Sequence, residues 1–147
     1  MAIKKGTTSK NSKVTIGQAP KDKYFEGVGR RKTAVARVRF YPDRANFIVN
    51  GTDLKSYFSN LRFEKRAEVP LRSSGAKGGV EVKAYGGGVM AQSEAITLGL
   101  ARALVKFNQD FKKEFRTLGY LTRDSRMVER KKFGLKKARR APQWRKR

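Results

Sequence analysis

The stretch VEVKAYGGGVMAQSEAITLGLARALVKF, residues 80–107, decides the fold class. In Val80–Tyr85, Val80, Val82 and Ala84 alternate with Glu81, Lys83 and Tyr85, the period-2 pattern of a strand buried on one face. Gly86-Gly87-Gly88 follow at once. From Val89 the period changes: Ile96, Leu100, Ala103 and Phe107 fall at i, i+4, i+7 and i+11 on one helix face, and Ala91, Ala95 and Leu98 make a second small apolar strip. A helix apolar on two sides must be covered on both, so it is central. Strand, glycine turn and buried helix in succession predict an α+β fold.

Upstream, TAVARVRF from Thr33 places Ala34, Ala36, Val38 and Phe40 on one face and Val35, Arg37 and Arg39 on the other. This too is a half-buried strand, and its outer face is cationic. Tyr41-Pro42-Asp43 opens a turn, and Phe47-Ile48-Val49 reads as a second short strand ended by Asn50-Gly51, together a hairpin signal. Asp53 is placed to cap a short helix through Tyr57 and Phe58. A further helical turn or two is expected from Asn60 to Ala67, closed before Pro70 because the residue preceding proline avoids the α region. Residues 73–79, SSGAKGG, read as a loop. Downstream, Asp110 starts another helix in which Phe111, Phe115 and Leu118 repeat at helical spacing, with Gly119 at its C-terminal stop.

The chain has 147 residues, room for one domain and tails. Counting glycine with the other apolar residues gives about 47%, inside the globular range. Lys and Arg number 36 against 12 Asp and Glu, a formal net charge of +24. That excess calls for a polyanion. Its distribution divides the chain into a basic arm at 1–23 with net charge +5, a foldable domain at 24–121 with +9, and a C-terminal tail at 122–147 with +10. The arm, rich in Ser, Thr, Gly and Asn between its lysines, is expected to be disordered. The tail carries twelve cations and two acids with no apolar stripe to bury, so its order should come from a phosphate backbone. Trp144 stands among Arg139, Arg140, Arg145 and Arg147, where it could stack on an unpaired base or pack on a neighbouring protein or ribose.

There is no Cys and no His. Disulfides, thiolate or imidazole metal ligands, and Cys–His or Ser–His nucleophile pairs are thereby excluded. Charges break every apolar stretch before the roughly 18 residues of a membrane span, and MAIKKGTTSKNSK lacks an apolar targeting core, so a soluble, unsecreted chain is expected. The glycine run could hold a phosphate with backbone N–H groups, as small-molecule kinases do. GGGVMAQSEA nevertheless meets neither GxxxxGK[ST] nor GxGxxG, and tight turning before the central helix is sufficient to explain it. Close approach of an RNA backbone is compatible with that explanation.

From Tyr24 to the last residue the chain resembles ribosomal protein nine of the small subunit, bacterial type. The matching pieces are GVGRRK within Tyr24–Lys32, the continuation TAVARV, and the pattern Gly86-Gly87-Gly88, Ala91-Gln92, Ala95, Gly99, Ala101-Arg102-Ala103-Leu104. LTRDSRMVERKKFGLKKARRAPQWRKR, residues 121–147, matches the family's tail. The resemblance implies a mixed sheet packed against helices with a left-handed βαβ crossover, flanked by long basic extended tails. It implies a non-catalytic protein of the small-subunit head that works in translation on the cytoplasmic ribosome, without cofactors. Its partners would be ribosomal RNA, the tRNA of the peptidyl site and neighbouring head proteins. The ribosomal RNA contacts it points to are Arg30, Arg31, Lys32, Arg37, Arg39, Gly86, Gly87 and Gly88, and in the tail Arg123, Arg126, Arg130, Lys131, Lys132, Lys136, Lys137, Arg139 and Arg140. Lys146 and Arg147 match the terminal pair that touches tRNA. The chain departs from the family at Ser125, usually Pro, at Phe133, usually Tyr, and in its Trp144-Arg145-Lys146-Arg147 ending, where Phe and Ser usually precede Lys-Arg. A nucleoid-type DNA-binding protein is the alternative that basic arms on an α+β domain also suit.

Overall fold

Alternation in Ala34–Tyr41 puts Ala34, Ala36, Val38 and Phe40 in full burial and turns Arg37 and Arg39 to the other face. The same holds for Gly79–Tyr85, where Val80, Val82 and Ala84 point inward. The structure, a computed structural model, describes residues 23–145. In chain order the elements are β1 (Phe25–Arg31), β2 (Ala34–Tyr41), β3 (Phe47–Val49), β4 (Thr52–Asp53), α1 (Leu54–Tyr57), α2 (Leu61–Ser74), β5 (Gly79–Tyr85), α3 (Val89–Phe107) and α4 (Phe111–Thr117). The sheet order is β1-β2-β5-β3-β4; only the β3–β5 pair is parallel, so the sheet is mixed and the fold is α+β.

Three details differ from the sequence reading. β1 showed no apolar alternation because its inward positions are Gly27 and Gly29, which lie directly on α3. A Cβ on Gly27 would overlap the Gly99 carbonyl, one on Gly29 the Ala95 carbonyl, and one on Gly99 would sit 2.7 Å from Val38 Cγ2. Strand and helix therefore touch backbone to backbone. Second, β2 and β3 are not neighbours, since β5 lies between them; the hairpin is the turn at Asn50-Gly51, both at positive φ, which joins β3 to β4. The Asn50 amide accepts from Ala84 N at 2.9 Å and donates to Ala84 O at 2.8 Å, continuing the β3–β5 ladder with a side chain.

Third, α2 does not close before Pro70 but runs through it to Ser74, so that only Gly75–Gly78 connect it to β5. A proline deletes the N–H that would bond the carbonyl four residues back, here that of Arg66. Thr97 of α3 fills the gap: its hydroxyl donates to Arg66 O at 2.8 Å, with Ser93 O at 2.9 Å as its second acceptor. Asp110 starts α4 as read, at the N-cap position, without a side-chain capping bond and with its own N–H donated to Asn108 Oδ1. The Asp53 cap of α1 stands as read, accepting from Lys55 N.

Around α3 the expectation of a central helix holds. Ala91, Ala95, Ile96, Leu98, Leu100 and Ala103 are buried, with the sheet on one side and α2 on another. Phe107 is 41% exposed, at the rim, its ring against Phe25 and Phe40. Beyond it Phe115 is buried and stacks on Phe111, while Leu118 stays exposed. β1 is an edge strand, and α3 covers its unpaired carbonyls: Arg102 donates to Val28 O and Lys106 to Glu26 O, each at 2.7 Å. No helix among the described residues is long and apolar enough to cross a membrane.

Two substitutions test this packing by chemical denaturation. Gly29→Ala forces β1 off α3 and is expected to cost at least about 3 kcal/mol, the upper end of overpacking, because the clash is with backbone. Thr97→Val keeps the shape but leaves Arg66 O without its donor, an expected loss of about 1–2 kcal/mol; an unchanged midpoint would mean that the Thr97 bond does not support the proline.

Candidate nucleic-acid interface

Because helices cover one face of the sheet, the other carries the outward side chains of β1, β2 and β5. Arg39 lies opposite Glu26 across β1–β2 and opposite Glu81 across β2–β5, and Arg37 lies opposite Lys83. Glu26 serves both arginines, at 3.1 Å from Arg37 Nη2 and 3.5 Å from Arg39 Nε. The Arg39 guanidinium also sits 4.8 Å over the Tyr24 ring. Tyr41 donates to Glu81 at 3.2 Å; burial, then the Glu81 carboxylate, pushes its hydroxyl pKa up and keeps it a donor. Both pairs are partly exposed to solvent and therefore individually weak.

At one end of the sheet the β1–β2 turn and the glycine loop meet. Lys32 is exposed at the turn with φ 51°, and Arg30 beside it is exposed. Gly86 and Gly87 have positive φ, and a Cβ would come within 2.7 Å of Thr33 O and 2.9 Å of the Ala34 Cβ respectively. Tight packing on the turn therefore requires these two. Gly88 is different: its φ is −110°, a Cβ there would meet nothing within 4 Å, and it stands at the N-cap of α3 without a side-chain cap. Gln92, one turn into α3, holds the loop by donating to Gly86 O at 3.2 Å and accepting from Tyr57 OH at 2.7 Å.

Arg31, grouped by sequence with Arg30 and Lys32, is placed otherwise. Its side chain is only 11% exposed. Nε donates to Glu94 of α3 at 2.5 Å, Nη1 donates to the Arg126 carbonyl at 2.5 Å, and Nη2 pairs with Asp124 at 3.0 Å. The other Glu94 oxygen pairs with Arg66 at 3.1 Å. Arg126 returns to Asp124 through its backbone N at 2.9 Å and its own guanidinium, which is 86% exposed. These Arg126 bonds, joined by Arg31, hold the Asp124 carboxyl well below the ordinary carboxylate range. Glu94, Asp124 and Arg66 were not singled out by sequence, since nothing in their spacing distinguishes them from other surface charges.

Residues 122–145 contain no helix or strand. Arg123, Arg130, Lys131, Lys136, Lys137 and Arg140 are exposed cations. Lys132 and Arg139 share Glu129, at 3.0 and 2.7 Å, and the Lys132 bond, then that of Arg139, lowers the Glu129 pKa. Within 132–140 the chain doubles back, with Gly134 at positive φ and Lys136 N donating to Arg140 O at 2.7 Å. The tail is thus looped in this stretch and not extended throughout. Trp144 is 90% exposed, and Phe133 and Val128 are also open to solvent. Lys146, Arg147 and the arm up to residue 22 lie outside the described residues.

Residues 29–147 match the family model described as ribosomal protein S9/S16. The chain is 49% identical over 125 residues to the small ribosomal subunit protein uS9 of Thermus thermophilus, covering 84% of this chain and 98% of that protein. It is 48% identical over 125 residues to the uS9 of Cytophaga hutchinsonii, with the same coverage, and 44% identical over 126 residues to that of Synechocystis, covering 84% of this chain and 92% of the relative.

A depressed carboxyl pKa has a definite sign. Asp124 pairing stabilises the docked tail root at pH above the ordinary carboxylate value, and the contribution is lost only as pH falls through the lowered folded value. In an NMR titration of the intact protein the Asp124 carboxyl should still be ionised at pH 3, where an unpaired Asp is mostly protonated. A midpoint near 4 would show that the pairing does not form in solution.

Proposed function

The chain belongs to the ribosomal protein S9/S16 family, and from that premise we propose that it is a structural, non-catalytic component of the small ribosomal subunit that binds ribosomal RNA. The observation that carries the RNA reading is the disposition of charge. Arg30 and Lys32 project from the β1–β2 turn, Arg37, Arg39 and Lys83 lie on the sheet face away from the helices, and the tail sequence holds twelve cations with only two acids. No protein core claims these groups, and phosphate is the ligand that suits all of them. Arginines grip it bidentately, lysines act as point charges, and neither reads a base in doing so.

On this reading the globular domain sits on folded ribosomal RNA of the subunit head, among neighbouring head proteins of the cytoplasmic ribosome. The tail threads between RNA segments, and Lys146 and Arg147 reach the backbone of tRNA in the peptidyl site. A contact made to phosphate alone suits a position that must accept every tRNA. Gly88 leaves an uncrowded backbone at the head of α3 against which RNA can lie. The left hand of the β3-to-β5 crossover, implied by the family, belongs to the same reading.

Sedimentation of a tagged copy through sucrose gradients tests it. Co-migration with small subunits into moderate salt is expected; migration with the chromosome would favour the DNA-binding alternative, and a free protein would overturn both. Each neutralised phosphate contributes about −0.7 to −0.9 to the slope of log K against log salt. Lys136→Gln with Lys137→Gln should therefore flatten that slope for ribosomal RNA by about 1.5. Deleting Lys146 and Arg147 should weaken tRNA binding and leave subunit assembly intact, whereas failed assembly would assign those residues a structural role.

A further inference from the structure

We propose that Arg31 is the positioning residue of the tail: it fixes where the basic segment leaves the domain before any RNA is met, and does not itself neutralise a phosphate. The inference rests on the reading that the tail binds ribosomal RNA. Three acceptors from two parts of the chain converge on this one guanidinium: Glu94 of α3, and at the tail's root the Asp124 carboxylate and the Arg126 carbonyl. Arg31 itself ends β1, so its backbone is fixed by the strand pairing Arg31↔Ala34. Its donors face inward and its side chain is largely covered, while Arg30 and Lys32 on either side are exposed. A planar fork with five donors can meet three acceptors at once; a lysine ammonium on a flexible stem does not hold the same arrangement.

The acids support the same assignment. Of the two in residues 122–147, one stands at the root, where a charge-only design for RNA binding would avoid it. Asp124 also accepts from Arg126 N, so the root is a closed turn that Arg31 ties to the domain. A tail anchored at 124–126 starts from a defined point and direction. It loses less freedom on binding than one free from Leu121 onward.

The test exploits a sign. Asp124→Asn makes the chain one unit more positive, and screening electrostatics alone would tighten its binding to an RNA. Positioning predicts the opposite: in filter binding of the full chain to small-subunit ribosomal RNA, Asp124→Asn should bind roughly three- to tenfold more weakly. Asp110→Asn, the same charge change at an exposed site with no side-chain bond, should bind as tightly as the parent or more so. Arg31→Gln should weaken binding to the same degree, the double variant no further, and Arg31→Lys should not restore it. The salt slope of Arg31→Gln should stay that of the parent, where loss of a phosphate contact would flatten it by about 0.7 to 0.9. Should Arg31→Gln fail to fold, Asp124→Asn on its surface turn and backbone amide relaxation of residues 124–126 in the free protein decide the matter: parent amides as rigid as the domain, loosened by Asp124→Asn, are expected. Binding of Asp124→Asn equal to or tighter than the parent, a flattened slope for Arg31→Gln, or mobile parent amides would overturn the proposal. A parent chain without affinity for the RNA would overturn the functional reading, and the proposal with it.

Discussion

Direct contact between the β1 backbone and α3 is the constraint from which the other features of the domain follow. Side chains normally stand between a helix and the sheet it covers and keep the two backbones apart. Here Gly27 and Gly29 on the strand and Ala95, Gly99 and Ala103 on the helix remove that spacer, and the backbones meet. At this distance Arg102 and Lys106, one turn apart on α3, reach over the edge of β1 to its free carbonyls. Glu94 comes within reach of Arg31 at the strand's end, and the glycine loop that begins the helix is pressed onto the β1–β2 turn. A bulkier residue at Gly29 or Gly99 would shift the edge cover, the loop and the tail's anchor together.

Legibility in the sequence follows from the same physics. β2, β5 and α3 were readable because each buries one face and so carries a period. β1 was not, since its inward residues are glycines chosen for close approach, and a glycine in an alternation pattern registers as a break. Pro70 misled for a related reason: its local rule is sound, but the missing donor is supplied by Thr97, a residue 27 positions away that no local window includes. The NG turn was recognised but its partner was not, because β5, which separates β2 from β3, enters the sheet only after two helices.

The cationic surfaces were legible as composition and not as geometry. Arg30, Arg31 and Lys32 look equivalent in a basic triplet, yet strand alternation sends Arg31 inward, where Glu94 and Asp124 wait, and its neighbours outward. The acids explain more than their small number suggests. Glu26 holds Arg37 and Arg39, Glu94 holds Arg31 and Arg66, Asp124 holds Arg31 and Arg126, and Glu129 holds Lys132 and Arg139.

Each of these four carboxylates lies between two cations, and that ratio has a physical consequence. One-to-one pairing would neutralise the surface, and unpaired cations would repel one another and sample many positions. A carboxylate shared by two cations leaves the group net positive while fixing the spacing between them. At Glu26 and Glu129 the pairs are open to water, individually weak, and displaced by a stronger anion without disturbing the core. Glu94 and Arg31 are largely covered, and through Arg31 the carboxylates of Glu94 and Asp124 tie α3 and β1 to the tail. These four carboxylates thus act less as counter-charge than as spacers, presenting an excess of positive charge in a defined arrangement to a partner whose own charges are regularly spaced.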